Sequence, residues 1–268
     1  MIALRRFVWG AALAVAFSVT LVAQQAPASF HQVYCVKVNP GKDAAFTAMV
    51  NGDLRKLAQY DLNAGTLSRW IVLNAIVPQG TAVRCDYAVV YFYPGPPPAP
   101  MSDADWAAEL EKAIGKTPQQ FDQELEDNGT LVESSIVRSP LSVGATKEGD
   151  YLVVNEMSVP NIDDWIAQEK KMWQPIFEDA AKDGVVDAWA VNVKFMPRGA
   201  KDRGITYTVD VYPNWQSVFS FFGPSFQDRW KKVHPDVAIA DGMAQERKVE
   251  TIDYTTLYKV VTAIQASK

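Results

Sequence analysis

The chain carries one thirty-residue pattern twice. Residues 65–94 and 184–213 align without a gap at an offset of 119, and nine positions are identical: Gly65/Gly184, Trp70/Trp189, Val72/Val191, Pro78/Pro197, Gly80/Gly199, Arg84/Arg203, Val90/Val209, Tyr93/Tyr212 and Pro94/Pro213. Tryptophan is rare, and glycine and proline dictate backbone conformation, so coincidence explains this set poorly. Self-similarity at a fixed spacing constrains the fold before any local signal does. Two copies make a duplicated domain, not a solenoid.

The flanking elements extend the repeat. In the first copy Gln32–Val38 reads as a strand ended by Asn39-Pro40-Gly41. Phe46, Met49, Val50, Leu54, Leu57, Ala58 and Leu62 then recur at steps of three and four, which predicts a helix over 43–62. Asn63-Ala64-Gly65 stops it. Strands Thr66–Val77 and Arg84–Tyr93 flank a turn at Pro78–Thr81. Ser102 with Asp105, and Thr117-Pro118 with Gln120, start two helices, and Leu131–Val137 closes the unit as a strand. The second copy has the same order. It has a strand at 151–159 and a helix from Asn161 that Pro175 should kink or break. Strands 185–196 and 204–212, short helices in 214–245 and a last strand Arg247–Tyr258 follow. The repeats are expected at 29–140 and 148–262, with a linker at 141–147.

Each copy is therefore β-α-β-β-α-β, a split βαβ or ferredoxin-like unit, and the fold class is α+β. Such a sheet has helices on one face only, so its other face needs cover, and two tandem units packed sheet to sheet provide it as a pseudo-dimeric barrel. This element order resembles the dimeric α+β-barrel superfamily in fused form, over about residues 30–262. Through that resemblance the chain is similar to haem-degrading enzymes, cofactor-free oxygenases, chlorite-dismutase-like haem proteins and many proteins without known activity. A fold does not choose among them.

The N-terminus reads as an export signal over residues 1–23: Arg5 and Arg6 precede an uncharged apolar run from Phe7 to Ala23, and small residues offer cleavage after Ala23 or Ala28. An uncleaved anchor is the alternative, at the lower length limit for a span. The expected address is periplasmic or secreted, with no membrane contact after cleavage. Lys and Arg total 26 against 31 Asp and Glu, with no basic cluster, which argues against a nucleic-acid partner. A chain 48% hydrophobic and 21% charged is globular. Cys35 and Cys85 both fall in the first copy and can form one bridge in an oxidising compartment. The oligomeric state is left open.

Strand alternation assigns Trp189, Val191, Val193 and Phe195, with Tyr207, Val209 and Val211, to the face under the helices. The opposite face then carries Lys194, Thr208, Asp210 and Tyr212, facing Tyr91 and Tyr93 of the first copy. These six are the candidate ligand-binding set, lining a mixed polar and aromatic cavity between the sheets. Trp70 and Trp189 are expected as core anchors. Asp210 is the carboxylate best placed as a base, although a neighbouring Lys194 would hold it ionised.

Dedicated chemistry is sparse. Two histidines and two cysteines make no zinc-ligand spacing, and no Gly-x-Ser-x-Gly elbow is present. No catalytic residue can be assigned and no metal or cofactor is expected. His234 ends a helical stretch, where its cation would favour the helix dipole. The resemblance adds an alternative for it, a haem axial ligand. The leading expectation is an exported protein that binds a small molecule between its sheets. The alternatives are an oxidative enzyme, haem-dependent or cofactor-free, and a structural or interaction module presenting Phe219, Phe221 and Phe222.

Overall fold

The computed structural model describes residues 29–199 and 205–266. The expected signal segment 1–23, both cleavage sites and Arg203 lie outside them. The described elements are β1 (Ser29–Val38), α1 (Asp43–Met49), a π turn (Val50–Leu54), α2 (Arg55–Ala64), β2 (Arg69–Val77), β3 (Tyr87–Tyr93), α3 (Asp103–Ile114), α4 (Pro118–Asn128) and β4 (Gly129–Gly144) in the first half. The second half has β5 (Tyr151–Ser158), α5 (Ile162–Lys182), β6 (Ala188–Met196), β7 (Thr206–Tyr212), α6 (Trp215–Ser220), α7 (Pro224–Val233), α8 (Ile239–Val249) and β8 (Thr251–Gln265).

Local chemistry sets the helix ends. Ser102 accepts a bond from Asp105 N at the start of α3, Thr117 and Gln120 form a capping box with Pro118 in the first turn of α4, and Asn161 accepts from the amides of Asp163 and Asp164. Gly65 and Gly184, at φ 76° and 67°, end the equivalent long helices in a left-handed conformation that glycine adopts without steric cost. Pro175 sits inside α5 without ending it, so the expected break is absent. Val77–Pro78 and Met196–Pro197, equivalent in the repeat, are both cis.

All eight strands close into one barrel in the order β1-β3-β2-β8-β5-β7-β6-β4. Each half contributes a ferredoxin-like sheet, 4-1-3-2 in its own numbering. The two fourth strands join the halves. β4 pairs with β1 over residues 129–139 and with β6 over 136–144; β8 pairs with β5 over 251–259 and with β2 over 257–265. The expected linker thus begins inside β4, and residues 247–249 of the expected last strand belong to α8. At the seam Gly144 has φ 68°, and a Cβ there would come within 2.0 Å of Asp187 O, so only glycine fits.

Closure gives three hydrophobic layers. Helices α1 to α4 cover the outer face of the first sheet through Phe46, Val50, Trp70, Val72, Tyr87, Val89 and Leu110. Helices α5 to α8 cover the second through Trp165, Met172, Ile176, Phe177, Trp189, Tyr212, Phe221 and Trp230. A third cluster, including Ile71, Leu73, Val90, Leu152 and Val211, lies inside the barrel. Trp70 and Trp189 are 0% and 1% exposed at equivalent places under the helices. Trp189 stacks on Phe177 with ring centroids 5.3 Å apart. Trp189→Ala should lower the unfolding free energy by about 3–5 kcal/mol through the cavity it leaves; a urea midpoint within error of the parent would refute its role as a core anchor.

Candidate functional site

The barrel lumen contains a cavity of about 790 Å³. Aliphatic side chains form a large part of its wall: Ile71 and Leu73 from β2, Val90 from β3, Leu152 and Val154 from β5, Val209 and Val211 from β7. Alternation brings a small polar set onto the same surface. β1 contributes His31, β4 Ser139, β6 Asn192 and Lys194, and β7 Tyr207.

These side chains form a connected group. Ser139 Oγ donates to Asn192 Oδ1 at 2.7 Å and lies 3.4 Å from His31 Nδ1. The Tyr207 hydroxyl is 3.5 Å from His31 Nε2, and the Phe92 ring centroid is 5.0 Å from that of His31. Burial of His31, 5% exposed, pushes its pKa down to about 4, so the ring is neutral near pH 7. Burial raises the Tyr207 phenol, with Glu156 adding to the shift, and moves Tyr258 up to about 12. Nearby, Lys194 Nζ pairs with Glu133 Oε1 at 2.6 Å, and Arg84 pairs with the other Glu133 oxygen. Tyr254, 38% exposed, donates to Ala82 O at this end of the barrel, and the Arg84 side chain is 40% exposed there. Arg69 caps the lumen elsewhere, lying over the Phe92 ring and donating to Thr146 O. Glu133 thus offsets one of the two positive charges it contacts, and beside this charged group a guest meets apolar wall and neutral hydrogen-bonding groups.

Of the six residues nominated from the sequence, only Lys194 faces this cavity. Thr208, Asp210 and Tyr212 lie on the helix side of β7, and Tyr91 and Tyr93 on the helix side of β3. Hairpin register is the reason. Trp189 pairs with Asp210 and Trp70 with Tyr91, so each shares a face with its tryptophan, whereas Asn192 pairs with Tyr207 on the lumen face. A one-residue change of register flips every side chain of a strand. The assignment of Trp189, Val191 and Val193 to the helix side was correct, while that of Tyr207, Val209 and Val211 is reversed. Tyr91 packs against Trp70 and Tyr34, and the Tyr93 hydroxyl donates to Gln32 Oε1 at 3.0 Å. Asn155 donates to both Thr208 and Asp210. Asp210 is separated from Lys194 by the sheet itself, and burial pushes it up to about 7. It cannot act as a base in the lumen.

His31 is a member of the polar group that was not nominated from the sequence. Its signal was its spacing within β1, two residues from Val33 and four from Cys35, both on the lumen face. Cys35 and Cys85 are joined in a disulfide that ties β1 to the segment before β3. His234 does not fit a haem: its Nε2 is 2.8 Å from Met172 O, and its ring packs on Trp230 with centroids 4.9 Å apart. Phe219, against Trp215, and Phe222, against Trp173 and Phe226, are exposed, whereas Phe221 is buried in the core.

No protein-family model and no curated protein matches the chain. Solved structures do. A candidate monooxygenase of Fusobacterium nucleatum superposes with a TM-score of 0.56 at 8% identity, over 89% of this chain and 94% of that one. A candidate monooxygenase of Lactobacillus acidophilus gives 0.53 at 9% identity, over 90% and 99%. The fold is that of the dimeric α+β barrels. Likeness at this identity extends to the fold alone.

A buried neutral histidine makes stability depend on pH. Its folded pKa, about 4, is below the ordinary histidine value of 6.5, so its contribution is complete above pH 6.5 and is lost as pH falls toward 4. The difference in unfolding free energy between the parent and His31→Gln should change by on the order of 3 kcal/mol across that window. Parallel pH profiles for the two proteins would show that His31 is not buried as described.

Proposed function

We propose that the protein binds a small, mainly apolar molecule bearing neutral hydroxyl or carbonyl groups, such as a hydroxylated aromatic, inside the barrel. The observation that carries this reading is the 790 Å³ lumen, with its aliphatic walls and the single group His31, Ser139, Asn192 and Tyr207. That volume falls in the range of ligand cavities, and a few placed polar groups on an apolar wall are what such sites use for orientation. Catalysis receives less support than binding: a histidine held at about 4 is a weak base, and Asp210 is outside the lumen. Among the described residues no helix is long and apolar enough to cross a membrane. We propose an exported address as well, supported by the leader-like residues 1–23 and by the Cys35–Cys85 bridge, since disulfides persist in oxidising compartments.

A thermal-shift screen of phenols, quinones and hydroxylated polycycles tests the binding reading. A ligand at a hundred times its dissociation constant should add about 2.7 kcal/mol of stability. Val209→Trp places an indole in the lumen and should abolish that gain while the ligand-free protein still unfolds cooperatively. A gain that survives Val209→Trp would move the site out of the barrel.

A further inference from the structure

The second half holds a group of buried acids that the lumen does not use. Glu169 lies on α5, Glu246 on α8 and Glu250 just beyond it. One carboxylate oxygen from each lies within 4.8 Å of the others. Glu169 is 1% and Glu246 4% exposed, and Asp210 on the underlying strand is 6% exposed. None of the four pairs with a lysine or arginine among the described residues. The neutral donors are few. Trp165 Nε1 is shared between Glu169 Oε1, at 3.1 Å, and Glu250 Oε2, and Gln168 Nε2 donates to Glu246 Oε1 at 3.2 Å. Glu169 Oε2 and Glu246 Oε2 are shielded from solvent and accept no hydrogen bond. Buried acceptors without a partner cost free energy unless something supplies positive charge.

The fold does not require these acids. At the offset that aligns the two copies, Trp165, Glu169 and Asp210 correspond to Phe46, Val50 and Tyr91. The first half packs those three in an apolar cluster, with Phe46 1% and Val50 0% exposed. The same layer is therefore built once from hydrocarbon and aromatic rings and once around carboxylates.

We propose that Glu169, Glu246 and Glu250 form a binding site for a hard divalent cation of the calcium class. The donor set is all oxygen, which selects hard cations over zinc or copper. Calcium–oxygen distances of about 2.3–2.6 Å allow two ligands of one ion to be up to roughly 5 Å apart. The three oxygens, all within 4.8 Å of one another, fall inside that limit. Half-exposed Glu250 provides the way in from solvent. The cation would satisfy the unpartnered oxygens and tie α5 to the end of α8. The site is separate from the lumen, so its failure leaves the ligand-binding reading untouched.

Terbium is the probe, because it takes calcium sites and its emission is sensitised by nearby tryptophan, here Trp165. The full chain, stripped with chelator, should show saturable terbium emission that calcium displaces, and calcium should raise its Tm. Glu169→Gln and Glu246→Gln should each weaken terbium binding at least tenfold. Glu250→Gln, at a half-exposed position, provides the same affinity test if the buried variants do not fold. Absence of saturable emission, or emission unchanged by all three substitutions, would overturn the proposal and leave the acids neutralised by shared protons.

Discussion

The architecture depends on two strands that each serve two sheets. β4 and β8 begin by pairing within their own half and finish by pairing with the second strand of the other half. Each ferredoxin-like sheet would otherwise expose an edge and a bare face, and an open edge invites pairing with another chain. Closure removes both. It also creates two unlike environments on the two sides of every strand, a lumen and a helix-covered outer layer. The side on which a residue falls decides whether it can touch a guest in the lumen.

Duplication followed by divergence has divided the labour. Leu73, Ala75 and Ala88 in the first half correspond to Asn192, Lys194 and Tyr207 in the second, all facing the lumen. Under the helices, Phe46, Val50 and Tyr91 correspond to Trp165, Glu169 and Asp210. In both layers the first copy keeps small or apolar side chains where the second carries polar and ionisable ones. His31 and Ser139 are exceptions, contributed by β1 and β4 of the first copy to a polar group otherwise drawn from β6 and β7. Such asymmetry is hard to attribute to folding, since the apolar version of each layer is already present in the same chain.

The element order, the caps at Ser102, Thr117 and Asn161, the helix-ending glycines and the buried tryptophans were legible because each depends on local chemistry or on the repeat. The face assignment of β3 and β7 was not. In a half-exposed sheet, polar and apolar alternation separates solvent from core. Here both faces are covered, so the alternation of Thr206 to Tyr212 does not say which side is the lumen. Tyr87 to Tyr93 is an apolar run without a usable period. Register across the hairpins decides the question, and the connection at 78–86 is too long for its turn residues to fix it. The acid group was hidden for another reason: Glu169, Asp210, Glu246 and Glu250 are scattered over eighty residues of sequence and meet only where α5 packs against α8 over the sheet.

The central claim is that the barrel interior, and not the layer beneath the helices, receives the ligand. Methyl-resolved NMR during titration with a phenolic or quinone ligand from the thermal screen addresses it directly. The account predicts shifts concentrated on Val33, Ile71, Leu73, Val90, Val154 and Val209, which line the lumen, with Val50, Val72 and Val191 unmoved. Shifts confined to Val50, Val72 and Val191, with the lumen methyls silent, would contradict it.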